Sequence, residues 1–158
     1  MKIGKLRLYL ETTVFNYYFD EDRKGHEDVL KLFDSIKADK YDVYTSELVI
    51  KELERAQQPK RDNMLALVKN YKLKVLSSNS EVERLGELYI ENGIIPASHV
   101  LDSLHVAMTS VYEIDYIISY NFHHINRNKT RERTMIVNNE EGYGGIMITT
   151  AKEVLTDD

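Results

Sequence analysis

The chain contains no cysteine among its 158 residues. That excludes disulfide cross-links and thiolate-bound zinc, and it is compatible with a reducing cytoplasm, the expected location. No stretch approaches the roughly 18 consecutive apolar residues that a membrane span requires. Residues 1–10 alternate basic and apolar side chains and lack the apolar core of a secretory signal. Positive charge is scarce as well: 21 Lys and Arg against 26 Asp and Glu give a net charge of −5. This argues against a general nucleic-acid coat, because such proteins bind by neutralising phosphate. It does not exclude a nuclease, where a metal ion and local basic residues offset an acidic site. There is no internal repeat, low-complexity tract or linker, and only two prolines interrupt the chain. One α/β domain over residues 1–158 is expected, of a size able to bury its own core.

What is present is an alternation of short apolar runs and amphipathic stretches. Residues 6–10 (LRLYL) predict a buried first strand that ends at Glu11-Thr12-Thr13. Thr13 or Asn16 then caps a short helix to Phe19. Residues 26–38 place Val29, Leu30, Leu32, Phe33 and Ile36 at helical spacing. A strand over 41–45 leads to Ser46, a good cap for a helix over 47–56. Pro59 opens a helix over 60–71, and 73–76 form the third strand. Ser80 with Glu83 predicts a capping box for the helix that runs to Asn92-Gly93. After Pro96, a regular helix over 98–112 should bury Val100, Leu101, Leu104, Ala107, Met108 and Val111. Strands over 115–119 and 146–149 follow, and Thr150 with Glu153 caps a last helix. Between them, 128–141 reads either as a helix stopped by Gly142 or as containing a strand at 134–137. Strands alternating with helices imply parallel pairing.

Four acid or amide positions stand where a strand meets a turn or near a helix start: Glu11, Glu52, Asp102 and Asn121. Such positions converge on the carboxyl edge of an open parallel sheet. Carboxylates gathered there repel one another unless a hard divalent cation lies between them. Each also has a plainer reading. Glu11 can cap a helix or pair with lysine, Asp102 can complement a helix dipole, Glu52 and Glu54 can be solvated, and Asn121 can be a turn residue. His105 and Thr109 share the Asp102 side of their helix, a polar strip facing either a cleft or solvent. His105 itself is expected as a packed helix histidine rather than an orienter of a ligand. Adjacent His123 and His124 make a poor zinc chelate, and no H-x-x-x-H pattern supports them. The basic group Arg127, Lys129, Arg131 and Arg133 reads as a solvated helix face or as a grip for phosphate groups.

The phrases Leu8-Tyr9-Leu10-Glu11-Thr12-Thr13, Ser46 to Glu52-Leu53, Asp102-Ser103-Leu104-His105-Val106-Ala107 and Ile117-Ile118-Ser119-Tyr120-Asn121-Phe122-His123-His124-Ile125 occur in that order. Together they resemble the PIN-domain family, especially the VapC-like toxins of prokaryotic toxin–antitoxin pairs. The resemblance covers nearly the whole chain. It implies a three-layer α/β/α sandwich with a central parallel sheet, and a ribonuclease dependent on Mg²⁺ or Mn²⁺. It puts Glu11, Glu52, Asp102 and Asn121 at the four metal-binding and catalytic positions, with Ser119 as the supporting hydroxyl. It also implies an RNA substrate, an antitoxin protein as partner, and a homodimer. Eleven tyrosines, among them Tyr17, Tyr18, Tyr41, Tyr44 and Tyr143, supply interface-type side chains for that dimer.

Two residues depart from the family pattern. Glu11 is one methylene longer than the usual Asp, and Asn121 lacks the charge of the Asp often found there. Two other readings therefore stay open: a non-catalytic PIN-like domain that binds RNA or protein, and a metal-dependent nuclease or phosphatase of another class, such as a DNA-acting enzyme.

Overall fold

The computed structural model describes residues 4–156. Five parallel strands form one sheet: β1 (Arg7–Leu10), β2 (Asp42–Ser46), β3 (Lys74–Leu76), β4 (Tyr116–Ile118) and β5 (Met147–Thr149). Their spatial order is β3-β2-β1-β4-β5. The chain first adds strands on one side of β1 and then returns to add β4 and β5 on the other. The switch point lies between β1 and β4, and the crevice beyond the carboxyl ends of such strands is where open α/β sheets place ligands.

Among the described residues, seven α-helices lie between the strands, α1 (Thr12–Phe19), α2 (His26–Lys37), α3 (Glu47–Glu54), α4 (Lys60–Asn70), α5 (Ser80–Glu91), α6 (Val100–Val111) and α7 (Asn128–Glu141), and α8 (Ala151–Thr156) follows β5. They form two contacting groups, α1–α4 with α8 and α5 with α6 and α7. With the sheet between them, this is the expected α/β/α sandwich. Leu8, Tyr9, Leu10, Ile117 and Ile118 are fully enclosed in its middle layer. Continuous apolar runs, rather than alternating ones, are what a parallel strand covered on both faces requires. Among the described residues no helix is long and apolar enough to cross a membrane.

Several local expectations are corrected. The cap of α5 is Asn79, whose side chain accepts the Val82 N–H, so Ser80 is the first helical residue and no Ser80–Glu83 box forms. Neither Thr13 nor Asn16 caps α1: Glu11 holds the cap position without a side-chain cap bond, and Thr13 is used elsewhere. Residues 97–99 form a 3₁₀ turn ahead of α6. In α6, Val100 is exposed, whereas Ser103, His105, Thr109 and Ser110 are buried with Val106, Ala107 and Met108. The helix packs against α5 so closely that the Ser103 hydroxyl donates to the Gly86 carbonyl at 2.6 Å. A Cβ on Gly86 would meet Leu104 Cδ2 at 3.0 Å. The 128–141 ambiguity resolves as helix α7, ended by Gly142 in the left-handed region at φ +83°. Ser46 does cap α3, accepting the Val49 N–H at 3.3 Å.

Candidate active site

Glu11 is the first residue beyond β1, and its N–H still bonds the Ile118 carbonyl of β4 at 3.1 Å. Its side chain is only 3% exposed. Its Oε1 accepts the Thr13 hydroxyl at 2.6 Å and the Ser119 hydroxyl at 2.7 Å. No described lysine or arginine forms an ion pair with it. Burial raises its pKa, with Glu52 adding to the effect, and the charge of His105 and the two hydroxyls only partly offset this.

Glu52 arrives from α3. Its Oε1 accepts the Thr12 hydroxyl at 3.0 Å and the Nε2–H of His105 at 2.6 Å. Burial alone would raise its pKa, but the hydrogen bond and charge of His105, then Thr12 and Arg55, bring it below the usual value. The expectation that Glu52 could be merely solvated is thus not met. His105 is fully buried, as a packed histidine should be, yet it also bonds a carboxylate of another helix. Its Nδ1 lies 2.7 Å from the Tyr9 hydroxyl, which lies 2.7 Å from the Ser46 hydroxyl. Burial would lower the His105 pKa; the Glu52 bond and the fields of Glu11, Glu52 and Asp102 reverse this and raise it.

Asp102 occupies the first turn of α6 and is half-buried. It makes no hydrogen bond to a described residue, but its field reaches both His105 and His124. Asn121 takes the turn role: its Oδ1 accepts the His124 N–H at 3.1 Å. Its own N–H donates to Ser119 Oγ at 3.0 Å, so one hydroxyl links Asn121 to Glu11. Hydrogen bonds therefore join Glu11 to Asn121 through Ser119, and Glu52 to His105, while Asp102 is tied to them only through its field on His105. Among the described residues, however, no three His, Asp or Glu side chains stand close enough together to hold a metal ion as they are placed. The region supplies oxygen donors without a closed ligand shell.

A family model for the PIN domain matches residues 8–128. The chain belongs to the PIN domain family. No curated protein matches it in sequence. Among solved structures, this PIN domain resembles the sarcin–ricin loop cleaving toxin VapC20 of Mycobacterium tuberculosis, with a TM-score of 0.56 and 14% identity over 73% of this chain and 91% of that one. It also resembles the DNA-bound VapBC of Salmonella typhimurium, with a TM-score of 0.57 and 14% identity over 92% and 98% of the two chains. VapBC2 of Rickettsia felis, bound to a DNA fragment from its promoter, gives 0.52 and 10% over 90% and 97%. At such identities these likenesses speak for the PIN fold alone.

The basic group divides in two. Lys129 and Arg133 are exposed, whereas Arg127 donates to the Ile94 carbonyl at 2.6 Å and Arg131 bonds Asn126 and Asn128. These two arginines brace the loop after β4 and are not part of a solvated face. His123 and His124 hold their rings 6.3 Å apart, while His99 lies against His124 at 4.0 Å. Of the five tyrosines named above, Tyr41 is buried and the others are partly exposed at the edge of the core, where Tyr17 stacks on Tyr120 at 4.1 Å and Tyr18 meets Phe33 edge-on at 5.0 Å. Thr12, Thr13 and Tyr9 escaped the sequence reading as site residues, although the first two directly follow Glu11.

Proposed function

We propose that this PIN domain is a divalent-metal-dependent endoribonuclease, the toxin of a toxin–antitoxin pair. The observation that carries this reading is an arrangement shared by Glu11 and Glu52. In each, two protein donors converge on Oε1 and no described donor reaches Oε2. A carboxylate held in this way cannot turn freely, and it keeps one oxygen for something outside the chain. Glu11, buried without a cationic side chain paired to it, is costly unless a cation is recruited.

The donor chemistry fits a hard ion. Carboxylate and amide oxygens suit Mg²⁺ or Mn²⁺, and the absence of cysteine leaves no competing thiolate. Glu11, Glu52 and Asp102 would hold the ion, with Asn121 contributing the carbonyl lone pair that His124 leaves unused. When bound, such an ion supplies Lewis-acid polarisation and charge neutralisation at a phosphodiester. Thr12, Thr13 and Ser119 keep the two glutamates oriented. Lys129 and Arg133, the exposed half of the basic group, are positioned for phosphate contact. An antitoxin partner is proposed by extension from the VapBC assemblies among the relatives. A homodimer is proposed from the PIN resemblance, and a single domain over residues 1–158 from the length and the lack of a linker.

A second reading, a non-catalytic PIN domain that binds RNA or protein, has one observation in its favour: the lack of a ready three-residue ligand set. The test is cleavage of a mixed RNA panel with Mg²⁺ or Mn²⁺, beside EDTA and Asp102→Asn. Cleavage that requires the metal and disappears in Asp102→Asn is the expected result. A panel left intact, together with no metal uptake by titration, would favour the non-catalytic reading. Cleavage of DNA in preference to RNA would move the enzyme to another nuclease class.

A further inference from the structure

Fully buried histidines are uncommon, because an imidazole must find partners for both ring nitrogens or leave one unsatisfied. His105 finds both, on two different elements. Nε2 faces Glu52 Oε1 of α3 at 2.6 Å, and Nδ1 faces the Tyr9 hydroxyl of β1 at 2.7 Å. An ionised carboxylate only accepts, so Nε2 carries the hydrogen in this contact. The Tyr9 hydroxyl can serve Nδ1 as donor or acceptor, and neither choice disturbs the Nε2–H.

The connection then closes on itself. The Tyr9 oxygen lies 2.7 Å from Ser46 Oγ, and Ser46 is the cap of α3, the helix that carries Glu52. One chain of hydrogen bonds therefore runs from the start of α3, through β1 and α6, back to a side chain of α3. It fixes the carboxylate relative to both the sheet and the helix that bears Asp102. With Thr12 on the same oxygen, Glu52 Oε1 is doubly occupied. A leucine would fill such an interior site without needing any partner, so burial alone does not account for an imidazole here.

We propose that His105 is a positioning residue for the metal centre: with its ring anchored at Nδ1 by Tyr9, its Nε2–H holds Glu52 Oε1 so that Oε2 is left for a divalent cation. This rests on the metal-dependent reading above and deepens it, assigning a role to a side chain that would touch neither the metal nor the RNA. Outer hydrogen bonds of this kind typically alter metal affinity about 10–100-fold when removed.

The experiment is calorimetric titration of Mn²⁺ alone into the full chain, comparing wild type with His105→Gln, His105→Asn and Glu52→Gln. Glutamine can place an amide N–H near the Nε2 position; asparagine keeps a group near Nδ1 but falls short of Glu52. His105→Asn should weaken Mn²⁺ binding about tenfold or more, as Glu52→Gln does, while His105→Gln recovers most of the affinity. The Asn variant combined with Glu52→Gln should be no weaker than Glu52→Gln alone. Equal affinities for the Gln and Asn variants would overturn the role of His105 and leave the metal reading standing. No Mn²⁺ uptake by wild type would overturn the metal reading itself, and this one with it. A readout free of metal and of changes at 105 is the ¹⁵N spectrum of the His105 ring in wild type and Glu52→Gln. Ring signals that ignore the loss of the Glu52 charge would overturn the proposal even if the position-105 variants fail to fold.

Discussion

Thr12 and Thr13 are neighbours in the chain, yet their hydroxyls hold different carboxylates. Thr12 donates to Glu52 at 3.0 Å, and Thr13 to Glu11 at 2.6 Å. Both stand in the first turn of α1, where consecutive side chains diverge by about 100° and so reach opposite sides of the crevice. The pair joins the acid from β1 to the acid from α3 through one rigid turn.

The two threonines should therefore respond differently to Val, which keeps the shape and removes the hydroxyl. Thr13 also accepts the Tyr120 N–H at 2.7 Å, so Thr13→Val strands a backbone donor and should cost about 1–3 kcal/mol. Thr12→Val loses a single side-chain bond and should cost about 0.5–1.5 kcal/mol. Urea unfolding measures both, and equal costs would mean that Tyr120 finds another acceptor.

Asp102→Asn should separate activity from stability. The side chain is half-buried and has no described hydrogen bond to lose, so unfolding should shift by no more than about 0.5 kcal/mol. Metal-dependent cleavage should fall to the EDTA background. A large loss of stability would give Asp102 a structural role instead.

Gly25 tests how the loop after β4 is supported. It sits at φ +112°, and a Cβ there would lie 2.9 Å from Tyr120 Cε1. Tyr120 stands between Ser119 and Asn121, so a clash at Gly25 reaches the candidate site through its ring. Gly25→Ala should cost about 1–3 kcal/mol through strain in a disfavoured backbone region. The melting temperature should fall by roughly 2–4 °C per kcal/mol for a chain of this size.

The basic residues make opposite predictions within one segment. Replacing exposed Lys129 or Arg133 by Ala should weaken RNA binding and reduce the salt slope by about 0.7 per lost phosphate contact, with little effect on stability. Arg127→Ala removes the charged donor on the Ile94 carbonyl and should instead cost about 1.5–3 kcal/mol. Binding isotherms across a salt series, beside unfolding curves, distinguish the two classes.

The sequence made the strands legible because each is a short apolar run bounded by polar residues, and all five are found within a residue or two of their expected ends. The edge strand β3 shows why the ends drift: paired only to β2, it retains Lys74–Leu76 and leaves Leu73 outside. The periodicity argument failed at α6. It assumes one solvated face, but α6 packs against α5, so His105 and Thr109 are as buried as Met108. The four candidate positions were chosen from their places at strand ends and on helices, together with the PIN resemblance. Their braces were not legible, because nothing local tells whether Thr12 reaches Glu11 or a carboxylate forty residues away.

If the proposed metal reading holds, Glu11 should reveal a stability cost in the metal-free protein. In the metal-free protein its carboxylate is buried, its pKa is raised by that burial, and no described basic side chain pairs with it. Glutamine at this position keeps an oxygen for the Thr13 and Ser119 hydroxyls and discards the charge. Metal-free Glu11→Gln should therefore be at least as stable as wild type near neutral pH, a gain of the kind expected where function opposes stability. Mn²⁺ should invert the order. At about 100 times its dissociation constant a bound ligand adds about 2.7 kcal/mol, and only wild type retains the acid that recruits it. Thermal melts of both proteins, with and without Mn²⁺, give four values. If Glu11→Gln is the less stable in EDTA, the carboxylate is there for the fold. If Mn²⁺ raises both melting temperatures equally, the ion binds elsewhere.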